Sequence, residues 1–466
     1  MIPAAALDVN PAALLAPPAP AVHTLGMKSY AELLSRPFVD GLLSRFLRYA
    51  AIETTSDRHI EDIPSTQAQW NLARLLEKEL RDLGIADVSL DGHCYLIARL
   101  KATRGLEKLP AIGLMAHMDT ASDVSGANVR PRVIEGYVGE GIVLGSGCVL
   151  DPAENPELSD HVGDSIVVTD GSTLLGADDK AGIAIIMTLA SILASDPGIA
   201  HGPIDIAFTP DEETGKGMNL FPLQNLRAAA CYTVDGGKAG EIEAECFNAY
   251  SVRASFKGKA IHIGAARGKL ANAVAMAASF VSMLPRSESP ESTDGWYGYF
   301  CPIEISGGLE SASAEIFLRD FSREGMERRI EATRAIARAV EAQFPQGKVE
   351  LEVSKQYVNM RERLDERPEV LEKLMEAARR AGAEPFVKPI RGGTDGARLT
   401  EMGIPTPNVF TGGYNYHSRY EWASVSEMAL AVETLIELVG LWAEPGSGKG
   451  ASKAERKTGR DESLAR

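Results

Sequence analysis

Short apolar runs alternate with amphipathic stretches along most of this chain, and three of those runs end in residues that carry chemistry. Ala111 to Ala116 runs into His117-Met118-Asp119. Ile204, Ile206 and Phe208 alternate and lead into Thr209-Pro210-Asp211-Glu212-Glu213, and Cys231 to Val234 leads into Asp235-Gly236-Gly237. Runs this short, bounded by turn residues, suit buried strands. Strands that alternate with helices build an α/β sandwich, and in open α/β sheets the site lies beyond the carboxyl ends of the strands. The pattern predicts an α/β fold with a polar site along one edge of its sheet.

The helices follow from spacing. One is expected from about Pro64-Ser65-Thr66, where Thr66-Gln67-Ala68-Gln69 has the pattern of a capping box. Leu72, Leu75, Leu76, Leu80 and Leu83 share its inner face, and Gly84 is placed to end it. An apolar helix is expected from Ile183 to Leu193, and another between Pro368 and Gly382. After Lys238 the texture changes. Cys246 to Phe256 alternates like a half-exposed strand, Leu270 to Leu284 is helical and Ala-rich, Ala314 to Leu318 reads as a strand, and Met326 to Phe344 as a long amphipathic helix. The 466 residues suffice for two to three domains. The reading is one catalytic domain in two parts, 28–238 and 358–442, interrupted by a smaller α+β unit at 239–357. Residues 1–27, rich in Ala and Pro, are expected to be a disordered extension, with Met27 as an alternative start; residues 443–466, rich in Gly, Ser and charge, are expected to be a disordered tail.

Composition excludes several functions. A formal net charge of −16 argues against binding nucleic acid or an anionic membrane. No apolar run is long enough to span a bilayer, and the first residues lack the basic start of a secretory signal. The five cysteines are scattered and odd in number, with no CxxC spacing, so a disulfide framework is not expected and a reducing, cytoplasmic location is. Neither P-loop nor dinucleotide glycine spacing is present.

The strand-end residues suit a metal. Catalytic zinc takes His nitrogen and carboxylate oxygen and leaves a position open for water, and a pair of ions ~3.5–4 Å apart can clamp a reacting group. His117 is followed two residues on by Asp119, a carboxylate able to fix the imidazole. Asp178-Asp179-Lys180 stands at the mouth of the apolar helix, behind Leu175-Gly176-Ala177. Glu212 and Glu213 are adjacent, so their side chains diverge and one can bind metal while the other faces water. Asp235 follows a strand, and His417 closes Gly412-Gly413-Tyr414-Asn415-Tyr416-His417. Each piece alone has an ordinary explanation: a surface Glu pair, an Asp-Gly turn, carboxylates at a helix start. Their joint occurrence, in this order and at strand ends, does not.

These segments carry a family resemblance. His117-Met118-Asp119-Thr120, Gly176-Ala177-Asp178-Asp179-Lys180-Ala181-Gly182, Pro210-Asp211-Glu212-Glu213, Val234-Asp235-Gly236-Gly237, Arg391-Gly392-Gly393-Thr394-Asp395-Gly396, the stretch from Pro405 to His417 and Pro64-Ser65-Thr66 are similar to the aminotripeptidase, or peptidase T, group of the two-zinc exopeptidases and deacylases. The resemblance runs from about residue 28 to 442. It implies a three-layer α/β catalytic domain, a smaller domain serving as lid and mediating homodimers, and two Zn2+ per subunit, with Co2+ or Mn2+ as substitutes. It implies that Asp178 bridges the ions, that His117 and Asp235 complete one shell and Glu213 and His417 the other, that Asp119 orients His117, that the Asp178–Asp179 peptide is cis, and that Glu212 is the general base. His262 and Arg319 match substrate-binding residues of the smaller domain; His262-Ile263-Gly264 has Ile where Pro is common, for which a local change of the loop is expected. The implied substrates are short peptides with a free amino terminus. A dipeptidase or N-acyl amino acid deacylase would share the ligands, and a non-catalytic relative would lack one of them or the base. His23, His59, His93, His161 and His201 match nothing in the pattern.

Overall fold

Four parallel strands form the spine of the main sheet: Ile112–His117, Ile204–Thr209, Ala230–Gly236 and Asn408–Phe410. Every residue in them is buried except Asp235, which explains why they read as apolar runs. In the computed structural model, which describes residues 24–25, 28–145 and 147–444, the full sheet has eight strands. Their order is Phe386–Val387, Glu241–Glu243, Asn408–Phe410, Ala230–Gly236, Ile112–His117, Ile204–Thr209, Leu96–Leu100 and Asp87–Leu90. The sheet is mixed, because Leu96–Leu100 and Glu241–Glu243 run antiparallel to their inner neighbours.

The two faces are told apart by the strand period of two. Leu96, Ala98, Leu100, Ile112, Leu114 and Ala116 pack under the helices Val39–Ala50, Gln69–Asp82, Ala177–Ser195, Pro368–Ala381 and Val425–Ala443. Tyr95, Ile97, Met115, Ala207 and Cys231 face the other way, under Met218, Phe221, Leu226 and Leu399. The result is the α/β layering expected from the sequence. No helix among the described residues is long and apolar enough to cross a membrane.

A second, antiparallel sheet follows in the chain, in the order Tyr299–Gly307, Ser311–Asp320, Asn248–Lys257 and Lys348–Tyr357. Val252, Ala254, Phe256, Ala314, Ile316 and Leu318 alternate inward against the helices Ala273–Ser282 and Arg323–Gln343, giving this sheet a core of its own. Of the expected terminal segments 1–27 and 443–466, most lies outside the described residues. Thr24–Leu25 pairs with Lys28–Ser29, and the last helix ends at Ala443.

Two local expectations need correction. The helix placed from residues 64–66 starts at Gln69, and its N-cap, Ala68, makes no side-chain cap. The Gln69 side chain reaches back only to the Thr66 hydroxyl, at 3.3 Å, and is mainly engaged with Asp211: its Nε2 donates to Asp211 Oδ1 at 2.7 Å and its Oε1 accepts from the Asp211 N–H at 3.2 Å. Two helices precede it, Tyr30–Leu34 and Val39–Ala50. The second buries Val39, Leu42, Phe46 and Tyr49 and begins without a side-chain cap, so it lacks the start signal a sequence would display.

Candidate metal centre

The parallel spine delivers its chemistry to one edge. His117 is the last residue of its strand and pairs in register with Thr209, so the turn through Asp211, Glu212 and Glu213 lies beside it. Asp211 holds that turn in the left-handed region, at φ 56°, and its carboxylate accepts from the Ser65 N–H at 2.7 Å. The Asp119 carboxylate accepts the N–H groups of Glu212 and Glu213 at 3.0 and 3.2 Å. His117 Nδ1 lies 3.1 Å from the Asp119 main-chain oxygen and 3.4 Å from its Oδ1. Asp119 therefore stands beside His117, as the resemblance implies, while its carboxylate does a second job that the spacing did not suggest.

Asp178 lies between the two histidines. Its Oδ1 is 2.9 Å from His117 Nε2 and its Oδ2 is 3.2 Å from His417 Nε2. Asp235 Oδ1 is 3.6 Å from His117 Nε2, and Glu213 Oε1 is 3.0 Å from His417 Nε2. Ligand atoms of His117, Asp178 and Glu213 fall within 4.8 Å of one another, and so do those of His117, Asp179 and Asp235. Asp179 takes the place of a support: it accepts from the His117 N–H at 3.2 Å and the Gly182 N–H at 3.1 Å. The Asp178–Asp179 peptide is cis. Gly182 allows this packing, since a Cβ there would sit 1.8 Å from the Val234 carbonyl oxygen.

The charges of this cluster are unbalanced. Burial pushes Glu213 up to about 7 and Asp235 up to about 6, and holds Glu212 well above the usual carboxylate range. Hydrogen bonding to Asp178 and Glu213 pushes His417 up to about 11. Burial opposes charge on His117, yet hydrogen bonds with Asp119, Asp178 and Asp235 outweigh it and raise the group well above its ordinary value. Buried carboxylates this close together need compensating positive charge, which protons could supply. Neutral imidazoles and ionised carboxylates around divalent cations would offset the same charge without them, so the residues present fit a metal centre.

A cavity of about 650 Å³ opens over the cluster, lined by Asp178, Glu212, Glu213, Asp235, Tyr416 and His417 and also by Glu241, Glu243 and Lys388. His262 and Arg319 are not among its lining residues. His262 is exposed, and its Nδ1 accepts from the Gly264 N–H in the short turn Ile263–Ala265. Arg319 is buried, donates to the carbonyl oxygens of Tyr250 and Leu318, and stacks over Phe317 and Tyr357. Arg391 donates to the main-chain oxygens of Thr293, Gly295 and Tyr297, tying the loop before the Tyr299–Gly307 strand to the segment that brings Gly393 to the cavity. Sequence reasoning missed Glu421, whose carboxylate accepts four successive N–H groups from Leu175 to Asp178. A carboxylate that serves only main-chain groups leaves no spacing signal.

Comparison with known proteins shows the family. The profile of peptidase family M20/M25/M40 matches residues 169–440. Peptidase T of Clostridium perfringens strain SM101 is 44% identical over 400 residues, covering 86% of this chain and 98% of its own length. Among solved structures, aminopeptidase PepT of Bacillus cereus aligns with a TM-score of 0.67 at 23% identity, covering 87% of this chain and 99% of that one. A tripeptidase of Staphylococcus aureus aligns with a TM-score of 0.69 at 21% identity, covering 87% and 98%. The structural likenesses carry the fold alone. On the profile and the near full-length sequence match, the chain belongs to peptidase family M20/M25/M40 and, within it, to the group named peptidase T.

Proposed function

We propose that the chain is a metal-dependent aminopeptidase that releases the N-terminal residue of tripeptides. The observation that carries this reading is the meeting of His117, Asp178, Glu213, Asp235 and His417 beyond the parallel strand ends, with Glu212 fixed beside them through its N–H on Asp119. Two zinc ions would be held there, with Co2+ or Mn2+ able to substitute. Asp178 would be shared, His117 and Asp235 serving one ion and Glu213 and His417 the other. When bound, the ions supply Lewis-acid activation of water and of the scissile carbonyl.

Glu212 moves the proton. Its carboxylate takes a proton from the attacking water as the oxygen adds to the scissile carbonyl carbon. It then gives that proton to the departing nitrogen as the C–N bond breaks, so the products are a free amino acid and a dipeptide. Asp119 keeps Glu212 in place through the main chain. His262 and Arg319 are proposed as substrate contacts, reached by approach of the smaller sheet to the cavity. The smaller sheet is also the proposed homodimer contact, and the cytoplasm the proposed location.

Two measurements test the reading. The zinc-loaded protein is expected to cleave a free tripeptide and to leave its N-acetylated form and an acetyl-amino acid intact; preferential cleavage of either acetylated compound would replace aminopeptidase by deacylase. Glu212→Gln is expected to retain the metal while kcat falls by about 10²–10⁴-fold. A variant with the parent's kcat would remove Glu212 from its role.

A further inference from the structure

The segment just after the His417 loop supplies two buried acids with no assigned part in the reaction. Glu421 and Glu427 are each 2% exposed. Glu421 Oε2 accepts from the N–H groups of Leu175 and Gly176 at 2.7 and 2.9 Å, and its Oε1 from those of Ala177 and Asp178 at 2.7 and 3.2 Å. Ala177 and Asp178 open the Ala177–Ser195 helix, with Leu175 and the N-cap Gly176 just before it, and a helix start leaves such N–H groups without partners of its own. Asp178, the residue between both histidines, is thereby fixed at its own N–H.

Glu427 holds two other ligand segments. Its Oε2 accepts from the Ala239 N–H at 2.9 Å, four residues past Asp235. Both its oxygens lie 3.0 Å from the Tyr414 hydroxyl, three residues before His417. The Tyr414 ring stacks on Trp422 at 3.9 Å between centroids and 3° between planes. The hydroxyl also lies 3.2 Å from His161 Nε2, and His161 Nδ1 lies 3.0 Å from Asp164 Oδ2. From this anchor the chain enters a loop with Asn415 at φ 54° and His417 at φ 59°, conformations that side-chain-bearing residues seldom adopt without outside support.

We propose that Glu421 and Glu427, with Tyr414 as the second acid's contact to the His417 loop, are positioning residues that set the separations of Asp178, Asp235 and His417. The inference rests on the two-ion reading above. The chemistry favours carboxylates. An ionised carboxyl offers only acceptors, enough for four N–H groups, whereas a glutamine in its place turns an NH2 toward two of those donors. Such hydrogen bonds are stronger for being charge-assisted. Partners that orient ligands from behind typically change metal affinity 10–100-fold when lost.

The test uses the full chain, stripped with a chelator and titrated with Zn2+ by calorimetry, with thermal melting of the stripped protein in parallel. Tyr414→Phe removes one oxygen and keeps the ring on Trp422. It is expected to weaken one of two zinc sites by about 10–100-fold, leave the other unchanged and leave the stripped protein's melting temperature near the parent's. Glu421→Gln is expected to weaken both sites, because Asp178 is shared. Should Glu421→Gln not fold, Tyr414→Phe decides alone. Parental affinity at both sites in these variants overturns the inference while leaving the metal reading intact; so does an affinity loss seen only where the stripped protein melts early. A parent that binds no zinc overturns both together.

Discussion

His117 at the edge of the eight-stranded sheet and His262 in the unit built on the antiparallel sheet stand in opposite states. At the first, His117 is 2% exposed and meets carboxylates on both ring nitrogens. At the second, His262 is exposed and bonded within its own turn, and Arg319 is spent on two carbonyl oxygens and two rings. The difference lies in what fixes position. Strand register sets where His117 and Asp235 stand, and the register is decided by the chain's own burial pattern. His262 depends on how one sheet body meets another, which no local pattern encodes.

The largest effect should come from the shared residue. Asp178→Ala is expected to lose both zinc ions and at least about 10⁴-fold in kcat/KM, since the activation the ions supply goes with them. Zinc content after gel filtration checks it, and two retained ions would remove Asp178 from the shared position. Gly182→Ala puts a Cβ 1.8 Å from the Val234 oxygen and 2.4 Å from Asp179 Oδ1. Overpacking against main chain should cost about 3 kcal/mol, read from the shift of the denaturation midpoint.

His262→Ala addresses the other region. If the smaller sheet approaches the cavity during turnover, the variant keeps its zinc and loses about 10²-fold in kcat/KM, the scale of one lost oxyanion donor. Parental kinetics would leave His262 a solvated loop residue. The smallest effect belongs to His161. Burial opposes its charge, but hydrogen bonding to Asp164 and the nearby Glu427, Asp164 and Asp160 charges outweigh this and raise its folded value. The stabilisation is therefore complete below the unfolded pKa, about 6.5, and is lost as pH rises through the higher folded one. The melting-temperature gap between parent and His161→Gln should be widest near pH 6 and narrow toward alkaline pH; a gap that widens upward would reverse the assignment.

Much of this was legible in the residues. The spine strands announced themselves as apolar runs because both faces are covered, and His117, Glu212, Glu213 and Asp235 stood out as candidates because they follow those runs directly. The glycine after the Pro368–Ala381 helix, with φ 101°, ended it where the sequence placed the stop. What stayed hidden acts across long separations on main-chain groups. Gln69 serves Asp211, 142 positions away, so its local pattern pointed to a cap it does not make. Glu421 acts 243 to 246 positions away, on N–H groups that every residue type shares. His161, one of five histidines outside the family pattern, proved to be wedged between Asp164 and Tyr414. The Val39–Ala50 helix had its stripe but no cap to mark its start.

Asp119 spends its two oxygens on successive amides, those of Glu212 and Glu213. The neighbour that would shuttle protons and the neighbour that would grip an ion hang from one anchor. Selection cannot retune either alone at this position, since a change in Asp119 alters both at once. Substitutions at 119 and at 212 should therefore show strong epistasis rather than adding independently.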